Sequence, residues 1–162
     1  MGLFSLRFLV SNRGQTMIAF HLAALVAATL FAGAALYITL VEHPARLGLR
    51  DEPLLAQWQP SYKRALPIQS GLAILGGVSG LSAWFFSSDW QWLAGSVMLL
   101  ANWPFTLIVI MPVNKRLMAM QQGEAGPESR EMLVRWGSLH NVRSGLGVIA
   151  MLLFLWAMAI AS

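Results

Sequence analysis

The chain has 162 residues, of which 57% are hydrophobic and only 11% are charged. Soluble domains carry about 25% charged residues, so this composition indicates an integral membrane protein and argues against a soluble enzyme. The net charge of +4 is modest, and the basic residues flank apolar runs, which speaks against nucleic-acid binding. The chain has no cysteine, which excludes disulfides, cysteine nucleophiles and cysteine-ligated metals.

Four apolar runs are long enough to cross a hydrocarbon core of about 30 Å at about 1.5 Å per residue. We therefore predict an all-α, integral membrane four-helix bundle with up-down-up-down topology, forming one transmembrane domain over residues 1–162. A short helix is expected in the first long loop, because Asp51 begins a helix-start signal, and Pro60 should end it. The predicted spans are residues 17–41, 66–86, 93–113 and 136–161.

Residues 1–15 combine apolar side chains with Arg7 and Arg13, and no small-residue cleavage site precedes the first span. This segment is predicted to lie in the membrane interface. Most other basic residues fall in the two long loops, which the positive-inside rule places in the cytoplasm, with both termini outside and a bacterial inner membrane as the expected location. The expected partners are the bilayer and a lipophilic small molecule, with a homo-oligomer or a larger membrane complex left open.

The third span carries several polar groups in its middle, where a membrane helix normally has none. Asn102, Trp103 and Thr106 surround Pro104, and Asn114 follows near the end of the span. Buried polar groups in hydrocarbon are costly unless they are hydrogen-bonded or line a cavity, so we predict that these residues line one. Pro104 removes a helical hydrogen bond and predicts an opened turn.

The topology brings the polar residues of all four spans to the end of the bundle next to the long loops. Trp136, His140 and Arg143 follow one another at helical spacing and share one face. A network of hydrogen bonds that only fixes helix packing is the alternative to a functional cavity. At the opposite end, His21 is expected to be a packed or interfacial residue. Interfacial anchoring is the expected role of Trp58, Lys63, Arg64, Trp90, Trp92 and Arg135.

Such a cavity suits proton chemistry on an apolar aromatic compound. Either His43 or His140 can act as general base, and Glu42 can orient one of them or act as base itself. Arg143 can stabilise a phenolate or enolate, with amide and phenol groups donating further hydrogen bonds. The candidate catalytic residues are His43, His140 and Arg143, and the candidate substrate-binding residues are Glu42, Tyr62, Gln69, Asn102, Trp103, Thr106, Asn114 and Trp136.

No metal site and no cofactor are predicted, although two histidines and a carboxylate could in principle hold non-haem iron, and two histidines could hold haem. Glu42 and His43 are adjacent, so their side chains point about 100° apart on a helix. Bound haem or iron therefore stays the alternative to a cofactor-free site.

Four motifs carry a family resemblance. They are Glu42-His43-Pro44, then Trp58-x-x-x-Tyr62-x-Arg64-Ala65 with Gln69, then Asn102-Trp103-Pro104-x-Thr106 running into Pro112-x-Asn114, and Trp136-x-x-x-His140-x-x-Arg143. In this order the chain resembles the anthrone oxygenase-like family of small four-helix membrane proteins, many of them domains of unknown function. The resemblance implies oxygenation of a polyphenolic anthrone to an anthraquinone by O2 without an added cofactor. It also implies site membership for His43, His140 and Arg143.

Two classes of function remain open at this stage. The first is a membrane oxygenase that acts with O2 on a lipophilic phenolic or anthrone-like substrate, using a histidine base and an arginine that stabilises the anion. The second is a non-catalytic membrane protein, either a binding or transport module or an accessory subunit of a membrane complex, with haem or metal carriage as a variant.

Overall fold

The computed structural model describes the backbone of Gly2–Ile160 and the side chains of residues 14–160. The interfacial position predicted for residues 1–15 depends on side chains that lie almost entirely outside this range, and Ala161 also lies outside it. The α-helices are α1 (Gly2–Tyr37), α2 (His43–Leu47), α3 (Asp51–Ser87), α4 (Trp90–Leu100), α5 (Asn102–Phe105), α6 (Met111–Ala119) and α7 (Pro127–Ile160). Two π-helical segments, Ile38–Glu42 and Thr106–Ile110, and a short 3-10 turn, Gln122–Glu124, complete the regular structure.

Four continuous helical stretches are long and apolar enough to cross a membrane. They are the first span (Gly14–Leu47), the second (Asp51–Ser87), the third (Trp90–Ala119) and the fourth (Pro127–Ile160). The first and third spans each pack against both the second and the fourth, which closes a bundle with alternating chain direction. The predicted all-α, membrane-type four-helix bundle is confirmed, and across the described residues there is no strand.

The helix predicted to begin at Asp51 begins there, but its expected end at Pro60 is wrong, because α3 continues past Pro60 into the second span. An interior proline costs about 3 kcal/mol relative to alanine. Here Leu54, Leu55 and Trp58 on the preceding turns are fully buried in one apolar cluster, and this packing outweighs the cost. The short helix expected in the first loop is therefore the beginning of the second span.

The end of the bundle away from the long loops, which we call the packed end, is filled by small and aromatic residues. A Cβ on Gly77 would overlap Leu100, and one on Gly80 would overlap the Phe154 ring and Ser96. Because these glycines have no side chain, the helix backbones can approach closely, as small residues commonly allow between membrane helices. The buried apolar cluster here consists of Ala24, Ala28, Phe31, Ala35, Ala73, Ala83, Trp92, Leu99, Ala150, Phe154 and Ala157.

At the opposite end, which we call the loop end, two spans depart from α-helical geometry. The N–H of His43 bonds to the carbonyl of Ile38, and the N–H of Met111 bonds to that of Thr106, each five residues back. A proline follows directly in both cases and cannot donate a bond of its own. Single-turn π segments of this kind widen a helix and occur often at functional sites.

The opened turn predicted from Pro104 lies at Ala101, between α4 and α5. The N–H of Ala101 bonds to the carbonyl of Val97, and its own carbonyl accepts a bond from Phe105 at 3.2 Å. Pro104 itself lies within α5. The third span is thus interrupted once at Ala101 and again at the π segment, and both breaks lie next to the polar residues of the loop end.

Candidate functional site

The polar residues predicted to converge do meet at the loop end, and most of them are buried. Glu42 and Tyr62 are partly buried, and Trp103 is 39% exposed. The remaining residues are all less than a tenth exposed, namely His43, Gln69, Asn102, Thr106, Asn114, Trp136, His140 and Arg143. Burial of so many polar side chains within an apolar bundle calls for hydrogen-bond partners or a cavity.

Aromatic rings form a connected wall across the site. Trp58 stacks on Tyr62, with ring centroids 4.9 Å apart, and meets Trp136 edge-on at 5.6 Å. His140 stacks on Trp136 at 4.9 Å, nearly parallel, while His43 meets the same indole at 5.2 Å in a tilted arrangement. The anchoring role expected for Trp58 is wrong, since its side chain is fully buried in this wall.

The ring nitrogens of the two histidines make at most loose contacts with the backbone. Within the described residues, neither nitrogen of His43 or His140 makes a hydrogen bond of regular geometry. The Leu133 carbonyl is the backbone group that interacts with His43, and the Ala35 carbonyl with His140. The His43 ring also occupies the space that a Cβ on Gly137 would need, so glycine at that position allows the ring to approach α7.

Arg143 is a buried cation without a carboxylate partner. Its Nη2 donates to Gln69 Oε1 at 3.2 Å, and its guanidinium carbon lies 5.8 Å from the centre of the Phe31 ring. In the part of the chain that the structure describes, the two ion pairs are Arg46–Glu42 and Arg130–Asp51, and Arg143 belongs to neither. A buried charge with no counter-ion is costly, which favours an anion as its missing partner.

Glu42 is committed to another residue. Arg46 Nη2 lies 2.5 Å from Glu42 Oε1, and Gln57 bridges the two side chains by bonding to both. The suggestion that Glu42 orients a histidine is therefore wrong. Sequence reasoning missed Arg46 and Gln57, although the four-residue spacing of Glu42 and Arg46 is typical of a helical ion pair.

Two cavities border the buried cation. About 380 Å³ of space lies between the wall atoms of the head cavity and about 480 Å³ between those of the side cavity, and both values include space that is open to the surroundings. Leu66 and Arg143 line both. The head cavity is lined by Ile38, Glu42, Arg46, Trp58, Ser61, Tyr62, Ala65, Leu66, Gln69, Trp136, His140 and Arg143, and the side cavity by Leu66, Ser70, Ala73, Asn102, Trp103, Thr106, Leu107, Met111 and Arg143.

The cavities divide the predicted site residues into three groups. The head cavity is lined by His140, Trp136, Gln69, Tyr62 and Glu42. The side cavity is lined by Asn102, Trp103 and Thr106 of the third span, and Arg143 lines both. His43 contacts Trp136 but lines neither cavity.

Asn114 also lies outside both linings, and its Nδ2 donates to the Tyr62 hydroxyl at 2.9 Å. The residues that line a cavity can touch a bound molecule, whereas His43 and Asn114 contact the lining residues Trp136 and Tyr62, respectively. Among the described residues, no set of three or more His, Asp or Glu side chains is arranged to hold a metal ion.

Comparison with known proteins places this chain in a family. The family model described as anthrone oxygenase matches residues 58–153, more than half of the chain. The matched segment includes every candidate site residue from Tyr62 to Arg143, while Glu42 and His43 precede it. An anthrone oxygenase of Claviceps purpurea (strain 20.1) is 25% identical over 146 residues, which cover 82% of this chain and 84% of the relative.

No solved structure matches the chain. The resemblance drawn from the four motifs is confirmed by the family match and by the relative, which spans nearly the same length. The chain belongs to the anthrone oxygenase family.

Proposed function

We propose that the protein is a membrane oxygenase that converts a lipophilic, anthrone-like phenol and O2 to the corresponding quinone and water. Family membership supports an oxygenase-like function. The observation that carries the proposal is Arg143, a buried guanidinium without a carboxylate partner, which shares an aromatic-walled cavity with the free imidazole of His140. A cation and a base at one cavity suit a substrate that becomes an anion when it loses a proton.

The first step is removal of a proton from the methylene carbon between the two aryl rings of the substrate. His140 takes this proton on a ring nitrogen, and the electron pair moves into the ring system, so that the ketone oxygen becomes a phenolate. Arg143 binds that oxygen, and the Nε2 of Gln69, which has no partner within the described part of the chain, can donate a second bond. Donors aimed at developing charge lower the barrier most in a water-poor site.

The second step is oxidation of the anion by O2. One electron passes from the anion to O2, and the two radicals combine through a new C–O bond to give a peroxide anion. This anion takes back the proton that His140 holds. In the resulting hydroperoxide the remaining C–H hydrogen leaves as a proton, the O–O bond breaks, and the released hydroxide and proton form water. The methylene carbon becomes a carbonyl, one oxygen atom enters the quinone and the other leaves as water. The substrate is oxidised by four electrons and O2 is reduced by four, so the reaction balances without a cofactor.

His43 and Asn114 act as positioning residues in this scheme. His43 packs against Trp136 and holds the indole that stacks on the base. Asn114 holds the Tyr62 hydroxyl, which keeps Tyr62 stacked on Trp58. Bound substrate would lie between these aromatic walls, since flat apolar rings and a few directed polar groups are typical of small-molecule sites.

The proposal is tested by turnover of dithranol, a dihydroxylated anthrone, by the purified protein in lipid nanodiscs under isotopically labelled O2. We expect one labelled oxygen in the quinone and one in water, above the rate of a protein-free control. Metal analysis and an optical spectrum of the same active sample should reveal no stoichiometric metal or haem.

Arg143→Met should lower the turnover rate by about 10²-fold or more, the effect of losing a donor at a developing oxyanion. Methionine nearly keeps the length of the side chain, and a monodisperse gel-filtration peak controls for folding. Unchanged turnover in this variant contradicts the mechanism. Lack of turnover in the wild-type protein would instead support a non-catalytic binding or transport role.

A further inference from the structure

The second and third spans touch closely at the packed end and separate at the loop end. A Cβ on Gly76 or Gly77 of α3 would overlap the side chains of Leu99 or Leu100. Beyond Ala101, where the third span is interrupted, the space between the same two spans is the side cavity. The cavity is therefore a gap between neighbouring spans on the flank of the bundle.

This gap opens on the apolar outer surface of the bundle. Trp103 and Leu107 line it and are 39% and 53% exposed, and the adjacent Ile108 is 73% exposed. Exposed apolar side chains in a membrane-spanning segment face hydrocarbon. The head cavity differs, because the Glu42–Arg46 ion pair forms part of its wall.

Three residues that line this gap each hold a buried polar atom without a partner. These atoms are Asn102 Oδ1, Thr106 Oγ1 and Arg143 Nε, which make no hydrogen bond within the described residues. All three side chains are more than nine-tenths buried. The Nδ2 of Asn102 bonds to the carbonyls of Met98 and Leu99, which fixes the amide and leaves its oxygen free to accept.

These atoms define the chemistry of a ligand. The oxygens of Asn102 and Thr106 can accept hydrogen bonds from hydroxyl groups, and Arg143 can bind an oxygen that carries partial or full negative charge. The indole of Trp103 offers a flat apolar surface at the opening. A ligand that satisfies all of them is an uncharged, bilayer-soluble aromatic ring system with phenolic hydroxyl and ketone oxygens.

We infer that the side cavity is a second binding site, through which such a phenolic ring compound enters from the bilayer. Arg143 and Leu66 border both cavities, so a ligand oxygen bound to the guanidinium can pass from the side cavity to the head cavity without losing that contact. The transfer to the head cavity rests on the proposed function, whereas binding in the side cavity does not.

The binding step is tested by photolabelling, which needs no turnover. A para-hydroxylated benzophenone carries the same diaryl ketone and phenol groups, and on irradiation it inserts into nearby C–H bonds. In nanodiscs we expect peptide mass spectrometry to locate the label mainly on Met111 and Leu107, and excess dithranol under argon to suppress it.

A matched pair of serine variants on α3 tests the location. Ser70 lines the side cavity and Ser82 does not, and both are partly buried. Leucine at position 70 fills space between the spans, so Ser70→Leu should lower labelling of Met111 by about tenfold, the effect of a modest steric penalty. Ser82→Leu should label like the wild-type protein. Ser70→Leu should also slow oxidation of dithranol, which enters from the bilayer. It should not slow oxidation of a sulfonated anthrone, whose charge keeps it out of the bilayer and therefore out of the side entrance.

The outcomes separate the two proposals. Label spread evenly over the outward-facing residues of all spans, or equal in the two serine variants, overturns the side-cavity inference, whether or not dithranol is oxidised. Label on Met111 that depends on Ser70, in a protein that oxidises no anthrone, supports the second binding site and contradicts the oxygenase proposal.

Discussion

Both ends of the bundle bury a histidine that is stacked on a tryptophan. At the packed end the His21 and Trp92 ring centroids are 4.5 Å apart and nearly parallel, and at the loop end His140 and Trp136 are 4.9 Å apart with a similar tilt. Both histidines are less than a tenth exposed and have at least one nitrogen without a partner in the described structure. Stacking and burial alone therefore do not mark a catalytic histidine.

The surroundings of the two pairs differ. Trp92 also stacks on Phe154, and glycines and alanines bring the neighbouring helices into direct contact. Beside His140, the first π segment contributes Ile38 and Glu42 to the wall of the head cavity. The second π segment and the residues after Ala101 border the side cavity, and Arg143 lines both spaces. The comparison indicates that unfilled space and a second, charged group distinguish the candidate site from a packed core.

The largest expected effect comes from exchanging each histidine for glutamine. His140→Gln removes the proposed base and should lower dithranol oxidation by about 10²- to 10⁴-fold, the usual contribution of general base catalysis. His21→Gln changes an equally buried ring at the packed end and should leave the rate within about threefold, because a buried polar substitution far from the cavity affects mainly stability. Steady-state oxygen consumption in nanodiscs measures both.

Equal losses in the two histidine variants would contradict the distinction between the ends, since they would point to a general effect on folding. Gel filtration and thermal unfolding of each variant separate that case from loss of a base. A large loss in His21→Gln alone would place the chemistry at the packed end.

A second, smaller effect concerns helix packing. Gly80→Ala places a methyl group against the Phe154 ring and Ser96, and should destabilise the bundle by about 1–3 kcal/mol, as overpacking commonly does. Gly71→Ala lies on the same helix with open space around it, and should be neutral or stabilising by about 0.5–1 kcal/mol. Unfolding in mixed micelles with increasing denaturing detergent compares the two. Similar unfolding curves for both variants would mean that close packing does not distinguish this end.

Much of the fold follows from the sequence alone. Long apolar runs separated by charged loops predict four spans. The spacing of Trp136, His140 and Arg143 predicts that they share a face, and all three line the head cavity. These features depend on periodicity within one helix. They can be predicted because neighbours in the chain determine them.

Features that depend on another helix were not predictable in this way. Trp58 and Trp92 occupy positions that suggest anchors at the membrane surface, yet both are fully buried, because rings from other spans cover them. Pro60 reads as a helix end, but tertiary packing carries α3 through it. The division of the site into two cavities depends on where the second and third spans separate, which the sequence indicates only through Pro104.

The smallest expected effect concerns the hydrogen bond between Asn114 and Tyr62. Tyr62→Phe removes the hydroxyl that accepts a bond from Asn114 and leaves that buried amide nitrogen unpaired, which should cost about 1–3 kcal/mol of stability. The phenyl ring can still stack on Trp58, so we expect dithranol turnover to fall by less than about tenfold, well below the loss in His140→Gln. Tyr37→Phe, which alters a side chain that is 58% exposed, should change neither quantity. If Tyr62→Phe instead lowered turnover as strongly as His140→Gln without loss of stability, the Tyr62 hydroxyl would itself contact the reacting anion, and the assignment of His140 and Arg143 alone to the reacting groups would be wrong.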